Sequence, residues 1–369
     1  MSQKAVVKHQ TLLVLFISLF FSLQNFAQKY SNEFLAIGVG AREQGMSGAT
    51  IATTKDIFSS YWNPAGLAQI ESPIQIGAMH AEWFAGVAKY DFIGIAKPIG
   101  SDNKSIIAAS VIRLGIDNIP YTLNLVGPDG SINYNNVTQF SSADYALQLN
   151  FARKHNANFS YGGSLKIIRR VIGTFASAWG VGIDVGVQYK TGNWIFAATG
   201  RDITSTYNAW TATLTDNEKN TFAATGNTIP KSSVESTLPT VFLGVARKFP
   251  LGDKLELLTE LDAGIATDGQ RNVLVSSNAF SVDPRFGLEL SYQKNIWLRA
   301  GVGNFQKIKK EDDPSQKTLN FQPNFGVGLR LGGLTIDYAL TNIGNVSQVL
   351  YSNIFSLKLN FSNKKAVKN

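Results

Sequence analysis

From Trp179 every second residue is large and apolar: Trp179, Val181, Ile183, Val185, Val187 and Tyr189. The positions between them are Gly180, Gly182, Asp184, Gly186, Gln188 and Lys190. Successive side chains of a strand point to opposite faces, so this stretch predicts a strand with one apolar and one polar face. The same period runs through Tyr145, Leu147, Leu149 and Phe151, through Phe286, Leu288, Leu290 and Tyr292, and through Phe325, Val327, Leu329 and Leu331. A last segment sets Val349, Tyr351, Phe355, Leu357, Leu359 and Phe361 against Ser352, Ser356, Lys358 and Asn360. A soluble sandwich alternates in the same way, so periodicity alone does not choose between the two.

Length and connection do. The alternating segments run to about ten to fourteen residues, where strands of globular proteins are usually about five or six. Short turns at 100–103, 155–157, 191–193, 251–254, 294–295 and 332–333 alternate with long polar loops at 121–140, 205–238, 267–280 and 304–321. Short turns on one side and long loops on the other are the plan of a transmembrane barrel. The pattern therefore predicts an all-β fold, an antiparallel transmembrane barrel of about fourteen strands between Ile74 and Phe361, with both barrel ends on the periplasmic side. The first three strands, between Ile74 and Ile119, alternate poorly. Tyr189, Phe325 and Leu357 are expected to face lipid. Asp184, Glu256, Glu260, Asp262, Glu289, Arg299, Arg330 and Asp337 are expected inside, as a luminal polar network. On the lipid face an Arg or Lys costs roughly 2–4 kcal/mol at mid-membrane. Interior charges of both signs are more often structural than a substrate site.

Composition agrees with a barrel. Only 16% of residues are charged, while 33 glycines accompany 23 Phe and 12 Tyr. The mean hydropathy of -0.02 is too low for a bundle of membrane helices, but a barrel hides its apolarity in alternation. Residues 1–27 read as a signal peptide, with Lys4 and Lys8 before the apolar run Leu12–Phe21 and Ala27 before the expected cut. The expected divisions are then 1–27 signal, 28–72 N-terminal plug or hatch, 73–361 barrel and 362–369 a periplasmic tail. No later segment approaches the ~18 apolar residues of a membrane helix. There is no cysteine, which removes thiol and disulfide chemistry. His80 and His155 lack the spacing of a metal site and the company of a nucleophile, and Gly-Val-Gly at 38–40 and 301–303 lacks the frame of a phosphate loop. No cofactor, no metal and no enzymatic activity are expected. The pI near 9.4 comes from dispersed lysines and arginines, so nucleic acid is not an expected partner. Lys307, Lys309 and Lys310, beside Glu311–Asp313, are expected to meet lipopolysaccharide.

Residues 31–69 lack sustained alternation. Asp56 is placed to cap a short helix from near Ile57, and Pro64-Ala-Gly66 to stop it. The glycine run Gly38, Gly40, Arg42, Gly45 and Gly48, followed by Tyr61-Trp-Asn-Pro-Ala-Gly-Leu67, resembles the opening of the PorV/PorQ family. That family looks like a branch of the FadL-type barrels, whose luminal hatch carries an Asn-Pro-Ala motif. Asn63, Pro64 and Ala65, with Gly66, match that motif.

The resemblance implies an outer-membrane component of a type IX secretion system. Its implied partners are other components of that system and the C-terminal domains of secreted cargo, which it would shuttle or help attach to the surface. A PorV-like and a PorQ-like role are equally open. The alternative is a FadL-like transporter of long-chain fatty acids or other hydrophobic small molecules. The loop 205–238, poor in large apolar residues, is expected to be a structureless docking element at the cell surface.

Overall fold

The computed structural model describes residues 31–84, 86–126, 131–310, 316–341 and 351–362. The expected signal segment, the run Glu311–Asp313, Val349 and the tail beyond residue 362 lie outside the described residues.

In chain order the strands are β1 (Ile74–Trp83), β2 (Ala88–Ile99), β3 (Ser105–Tyr121), β4 (Thr138–Lys154), β5 (Phe159–Ile172) and β6 (Ala176–Thr191). β7 (Trp194–Arg201), β8 (Thr206–Ala212), β9 (Ser233–Thr237), β10 (Thr240–Leu251), β11 (Leu255–Ala266) and β12 (Val275–Ser276) follow. The series ends with β13 (Ser281–Tyr292), β14 (Ile296–Lys309), β15 (Lys317–Leu331), β16 (Leu334–Thr341) and β17 (Ser352–Phe361). Leaving aside the short β8, β9 and β12, 14 strands close one antiparallel barrel. β1 seals it by pairing with β2 on one side and with β17 on the other, from Ile74↔Phe361 to Glu82↔Asn353. Closure leaves no strand edge open, which a sheet in lipid requires. Ile74 and Phe361 lie at the end bearing the short turns (the turn end), as an even strand number demands.

β8 and β9 correct the expectation of a structureless loop at 205–238. β6 pairs with β7 up to Val185↔Gly200 and with β8 from Val181↔Tyr207, so β7 and β8 are two halves of one strand separated by a bulge at 202–205. Asp202 and Ser205 in the bulge have φ of 53° and 56°. β9 pairs with β8 and leads directly into β10. Between β8 and β9 a helix, Asp216–Ala224, starts at a capping box in which Thr215 and Glu218 satisfy each other's backbone amides. The segment shows little alternation in sequence because its outward apolar residues, Tyr207 and Val234, are sparse among Thr, Asn and Ser.

The two faces of the wall sort as alternation requires. Tyr189, Phe325 and Leu357 point outward and are exposed, while Asp184, Glu260 and Asp337 point inward and are buried. β1–β3 depart from the rule. Their inner face is apolar, with Met79, Ala81, Tyr90, Phe92 and Ile112 all buried against the N-terminal segment. Their outer face carries His80, Lys89, Asp91 and Arg113. Two partly apolar faces explain why these strands alternate poorly in sequence.

Residues 31–71 lie inside the barrel as a hatch. Ile51, Ile57, Phe58, Tyr61, Trp62 and Leu67 are buried in the same cluster as the inner faces of β1–β3. Each fully buried side chain of this size contributes about 1.5–3 kcal/mol. Only short elements form: Ala41–Gly45 and Ser59–Trp62 are single turns of α-helix, and Pro64–Gln69 is a 3-10 stretch. The helix starts two residues later than expected, at Ser59 after Phe58, and no side chain caps it. Asp56 Oδ1 instead accepts from Phe58 N at 3.1 Å in the turn before it. The hatch begins at the loop end, not the turn end. Asn32 Nδ2 donates to Thr237 Oγ1 at 2.8 Å, and Asn208 Nδ2 donates to Asn32 Oδ1 at 2.9 Å. The polar inner faces of β8 and β9 hold it there, and the chain then descends to enter β1.

Candidate functional site

The hatch is gripped from two sides by different chemistry. On the β5–β6 side the contact is steric. Asn63 Oδ1 accepts from Ala65 N at 3.1 Å, and its Nδ2 donates to Ile51 O at 3.0 Å and Val187 O at 3.2 Å. Pro64, in the first position of the 3-10 turn, needs no amide partner. The turn approaches so closely that a Cβ on Gly186 would come 2.0 Å from Asn63 Oδ1, and one on Gly162 would come 2.6 Å from Pro64 C. Ala65 and Gly66 are buried in the same turn. Of the glycine run, Gly38, Gly40 and Gly48 have φ of 91°, 87° and 74°, a conformation that excludes most side chains. Gly45 has a different reason: a Cβ there would come 3.0 Å from Gly326 Cα.

On the opposite side the grip is ionic. Asp262 Oδ2 accepts from Thr50 N at 2.7 Å and Ile51 N at 2.9 Å, and Glu260 Oε1 accepts from Ala52 N at 2.6 Å. These two β11 carboxylates give the irregular hatch backbone the acceptors it has no secondary structure to supply. Arg42 Nε lies 2.9 Å from Glu289 Oε2, Arg299 Nε lies 2.7 Å from the same oxygen, and Arg299 Nη1 lies 2.7 Å from Asp337 Oδ1. Lys358 Nζ reaches Asp56 Oδ2 at 2.5 Å.

Two residues of the expected luminal network, Asp184 and Glu256, lie apart from this grip, and Arg330 lines its edge. Asp184 joins Lys166 at 2.8 Å and accepts from Asp202 N in the bulge. Glu256 faces Lys248 at 3.7 Å near the turn end, and Arg330 stacks over Trp297 at 5.3 Å.

Glu43 was not legible as a site residue, because nothing in its neighbourhood alternates. It is fully buried, its Oε2 has no hydrogen-bonding partner among the described residues, and burial beside Asp56 pushes its pKa up to about 7.

Above the hatch, toward the loop end, a vestibule of about 640 Å3 remains open. Its lining mixes charged side chains, Lys166, Arg201, Asp202, Asp283 and Arg285, with apolar and aromatic ones such as Leu35, Tyr61, Trp62 and Phe242. Arg201 is its central feature. The guanidinium lies 4.3 Å from the Tyr61 ring and 4.6 Å from the Phe242 ring, and it donates to Tyr61 O at 3.1 Å. No carboxylate pairs with it among the described residues, and its Nε has no partner there. The parity of Ile195, Ala197, Thr199 and Arg201 would have found this residue in the sequence. Among the described residues no group of His, Asp and Glu is arranged to hold a metal ion.

An apolar-walled, closed antiparallel barrel with an N-terminal hatch and a vestibule above it is an outer-membrane protein of the FadL-like architecture. The chain matches the family described as "Type IX secretion system protein PorV" over residues 24–209, just over half its length, and belongs to that family. It is thus an outer-membrane component of a type IX secretion system, and not an enzyme. No curated protein sequence matches it. Among solved structures it is similar to the Pseudomonas putida toluene transporter TodX, with a TM-score of 0.53 and 13% identity over 88% of this chain and 98% of that one. The CymD monoaromatic hydrocarbon channel has a TM-score of 0.52, and a Pseudomonas aeruginosa FadL homologue 0.51, each at 13% identity over 88% of this chain and 98% of that one. At that identity the likeness is one of fold.

Proposed function

We propose that this barrel works by binding protein partners, secreted cargo or components that attach cargo to the surface, at its vestibule and surrounding loops. It does not pass a small molecule. The observation that carries this reading is the vestibule itself. Its floor is a hatch held by buried ion pairs, and its lining presents Arg201, which has no carboxylate partner among the described residues. A path for hydrophobic substrates carries few charged groups in its lining, whereas Lys166, Arg201, Asp202, Asp283 and Arg285 stand among the apolar side chains here. A charged concavity with an aromatic-backed arginine instead suits peptide carboxylates and backbone carbonyls, the groups a protein partner offers. The segment 206–237 stands over the same end, with its Tyr207 and Trp210 on an ordered extension of the wall.

The similar solved structures include transporters of toluene and monoaromatic hydrocarbons, so hydrophobic uptake is the competing outcome. The test compares Arg201→Met, and separately a deletion of residues 214–231, with the wild type in cells. Surface display of cargo and uptake of long-chain fatty acids are both measured. Display is expected to fall several-fold and uptake to stay at background. Unchanged display with altered uptake replaces this reading by the transporter.

A further inference from the structure

A second, smaller cavity of about 40 Å3 lies on the side of the hatch away from the vestibule. It is enclosed between Arg42, Lys55 and Asp56 of the hatch and the wall strands β13–β17. The turns at 293–295 and 332–333 adjoin it, so it belongs to the turn end and faces the periplasm. Arg330, Thr335 and Lys358 form one inward cross-strand row in its lining, paired in register from β15 to β17.

The charge of this cavity does not balance. Its cations are Arg42, Lys55, Arg299, Arg330 and Lys358, against the carboxylates of Asp56, Glu289 and Asp337, which leaves two positive charges in excess. The three carboxylates are already engaged: Glu289 by Arg42 and Arg299, Asp337 by Arg299, and Asp56 by Lys358. Lys55 and Arg330 have no carboxylate partner among the described residues. Arg330 stacks over Trp297, which covers one face of the guanidinium and leaves its N–H edge free. Thr335 is 3% exposed, and its hydroxyl has no hydrogen-bonding partner among the described residues. Lys55 senses the same imbalance. Enclosure in the barrel, with Arg42, Lys248 and Lys358 around it and Glu289 opposing them, lowers its pKa to about 8.

We propose that this cavity is a binding site for a dianionic oxyanion of phosphate size, entered from the periplasm, and that the bound anion ties the hatch to the wall. A dianion cancels the two excess charges. An ammonium, a guanidinium edge and a hydroxyl are donors that its oxygens accept from. Lys55 belongs to the hatch and Arg330 and Thr335 to the wall, so one ligand spans the seam between them. A single water occupies about 10–15 Å3 of such space, so the cavity fits a free inorganic oxyanion rather than a nucleotide or a peptide. The closed wall keeps lipid headgroups out of it. Phosphate and sulfate share the chemistry that the site recognises.

The test titrates sodium phosphate, sodium sulfate and sodium chloride separately into the whole barrel with its hatch, in detergent at pH 7 and low salt, by calorimetry. One phosphate per chain is expected to bind saturably, with sulfate competing for the same site and chloride at least about tenfold weaker, as a monoanion that balances only one of the two charges. Lys55→Gln and Arg330→Gln should each weaken phosphate about tenfold to a hundredfold, the range of one charge-assisted hydrogen bond. Neither change strands a carboxylate, so both variants should fold, which heat-modifiable mobility checks. Lys97→Gln, on the outer wall, should bind as the wild type does. Hydrogen exchange at the hatch amides 41–58 should slow several-fold in saturating phosphate in the wild type and in neither cavity variant. Stabilisation by excluded salt would appear equally in all of them. No saturable binding, unchanged affinity in Lys55→Gln, or chloride bound as tightly as phosphate overturns the site. Phosphate bound without slower exchange in the hatch overturns the tie between hatch and wall.

Discussion

Arg42, in the hatch, and Arg299, in the wall, share one oxygen of Glu289, at 2.9 Å and 2.7 Å. The carboxylate thus stands between two guanidiniums, and the hatch becomes a member of a charge network that the wall would otherwise complete alone through Asp337. All four groups are buried. Such a network contributes little net stability when intact, yet removing one partner strands charge in a place water reaches poorly.

Glu289→Ala should therefore be far more damaging than its single position implies. It leaves Arg42 and Arg299 facing each other, and a cost of about 3–5 kcal/mol is expected. Urea titration of the barrel refolded in detergent measures it. Single-channel conductance should rise in parallel, because the hatch loses one of its ionic tethers. A paired replacement, Arg42→Met with Glu289→Met, should recover much of the loss in stability. An unshifted urea midpoint for Glu289→Ala would show the pair to be decorative.

The steric side of the hatch makes a separate prediction. Gly162 and Gly163 are neighbours on β5 but face opposite ways. A Cβ on Gly162 would meet Pro64 C at 2.6 Å, whereas one on Gly163 meets only Asp184 O at 3.6 Å. Gly162→Ala is expected to destabilise by about 1–3 kcal/mol through overpacking. Gly163→Ala should stay within about 0.5 kcal/mol of wild type, as substitutions free of such contacts do. Thermal unfolding of the two variants in the same detergent decides. Equal effects would mean that the hatch yields where the structure shows it pressed against the wall.

Much of this architecture was legible in the sequence because a strand's period of two separates faces without knowledge of its neighbours. Trp179 to Tyr189 reveals β6 and its inward Asp184 on that ground alone. The inward acids of β11, Glu260 and Asp262, were legible as luminal by the same parity. Their targets were not, because the amides of Thr50, Ile51 and Ala52 are brought to them from more than two hundred residues away in the chain. β1–β3 were obscured for a different reason. Their inner face must be apolar to receive Ile57, Phe58 and Trp62 of the hatch, and their outer face is charged, so the usual contrast is lost. β8 and β9 escaped notice because a bulge at 202–205 resets the parity between β7 and its continuation.

Glu43 provides a pH test of the hatch. Burial and the nearby Asp56 raise its pKa to about 7, above the 4.5 of an unconstrained glutamate. The folded protein then keeps a proton that the unfolded chain releases, so the group favours the folded state below about pH 4.5. That contribution is lost as pH rises through about 7. Glu43→Gln, which stays neutral, should lack this trend. The wild type is expected to lose stability relative to the variant between pH 4.5 and 7, with a constant difference above that range. Urea midpoints taken across pH 4–8 for both proteins measure it, and parallel profiles would place Glu43 in contact with water.

The outer face gives a last prediction, one that separates lipid from detergent. Val185 lies midway along the apolar face of β6 and is 42% exposed, with Tyr189 toward the turn end and Trp179 toward the loop end. An arginine at the centre of that band must carry its charge through hydrocarbon or drag water to it. Near either boundary its long stem lets the guanidinium reach the headgroups. Val185→Arg should therefore cost about 2–4 kcal/mol in lipid vesicles and Tyr189→Arg only about 0–1 kcal/mol, apart from any loss of ring packing. In small micelles, where water approaches the wall more closely, the gap should shrink. The measurement is the urea dependence of folding into vesicles and into micelles, followed by heat-modifiable mobility. If Val185→Arg proved no worse than Tyr189→Arg in vesicles, the membrane would have to sit elsewhere along β6.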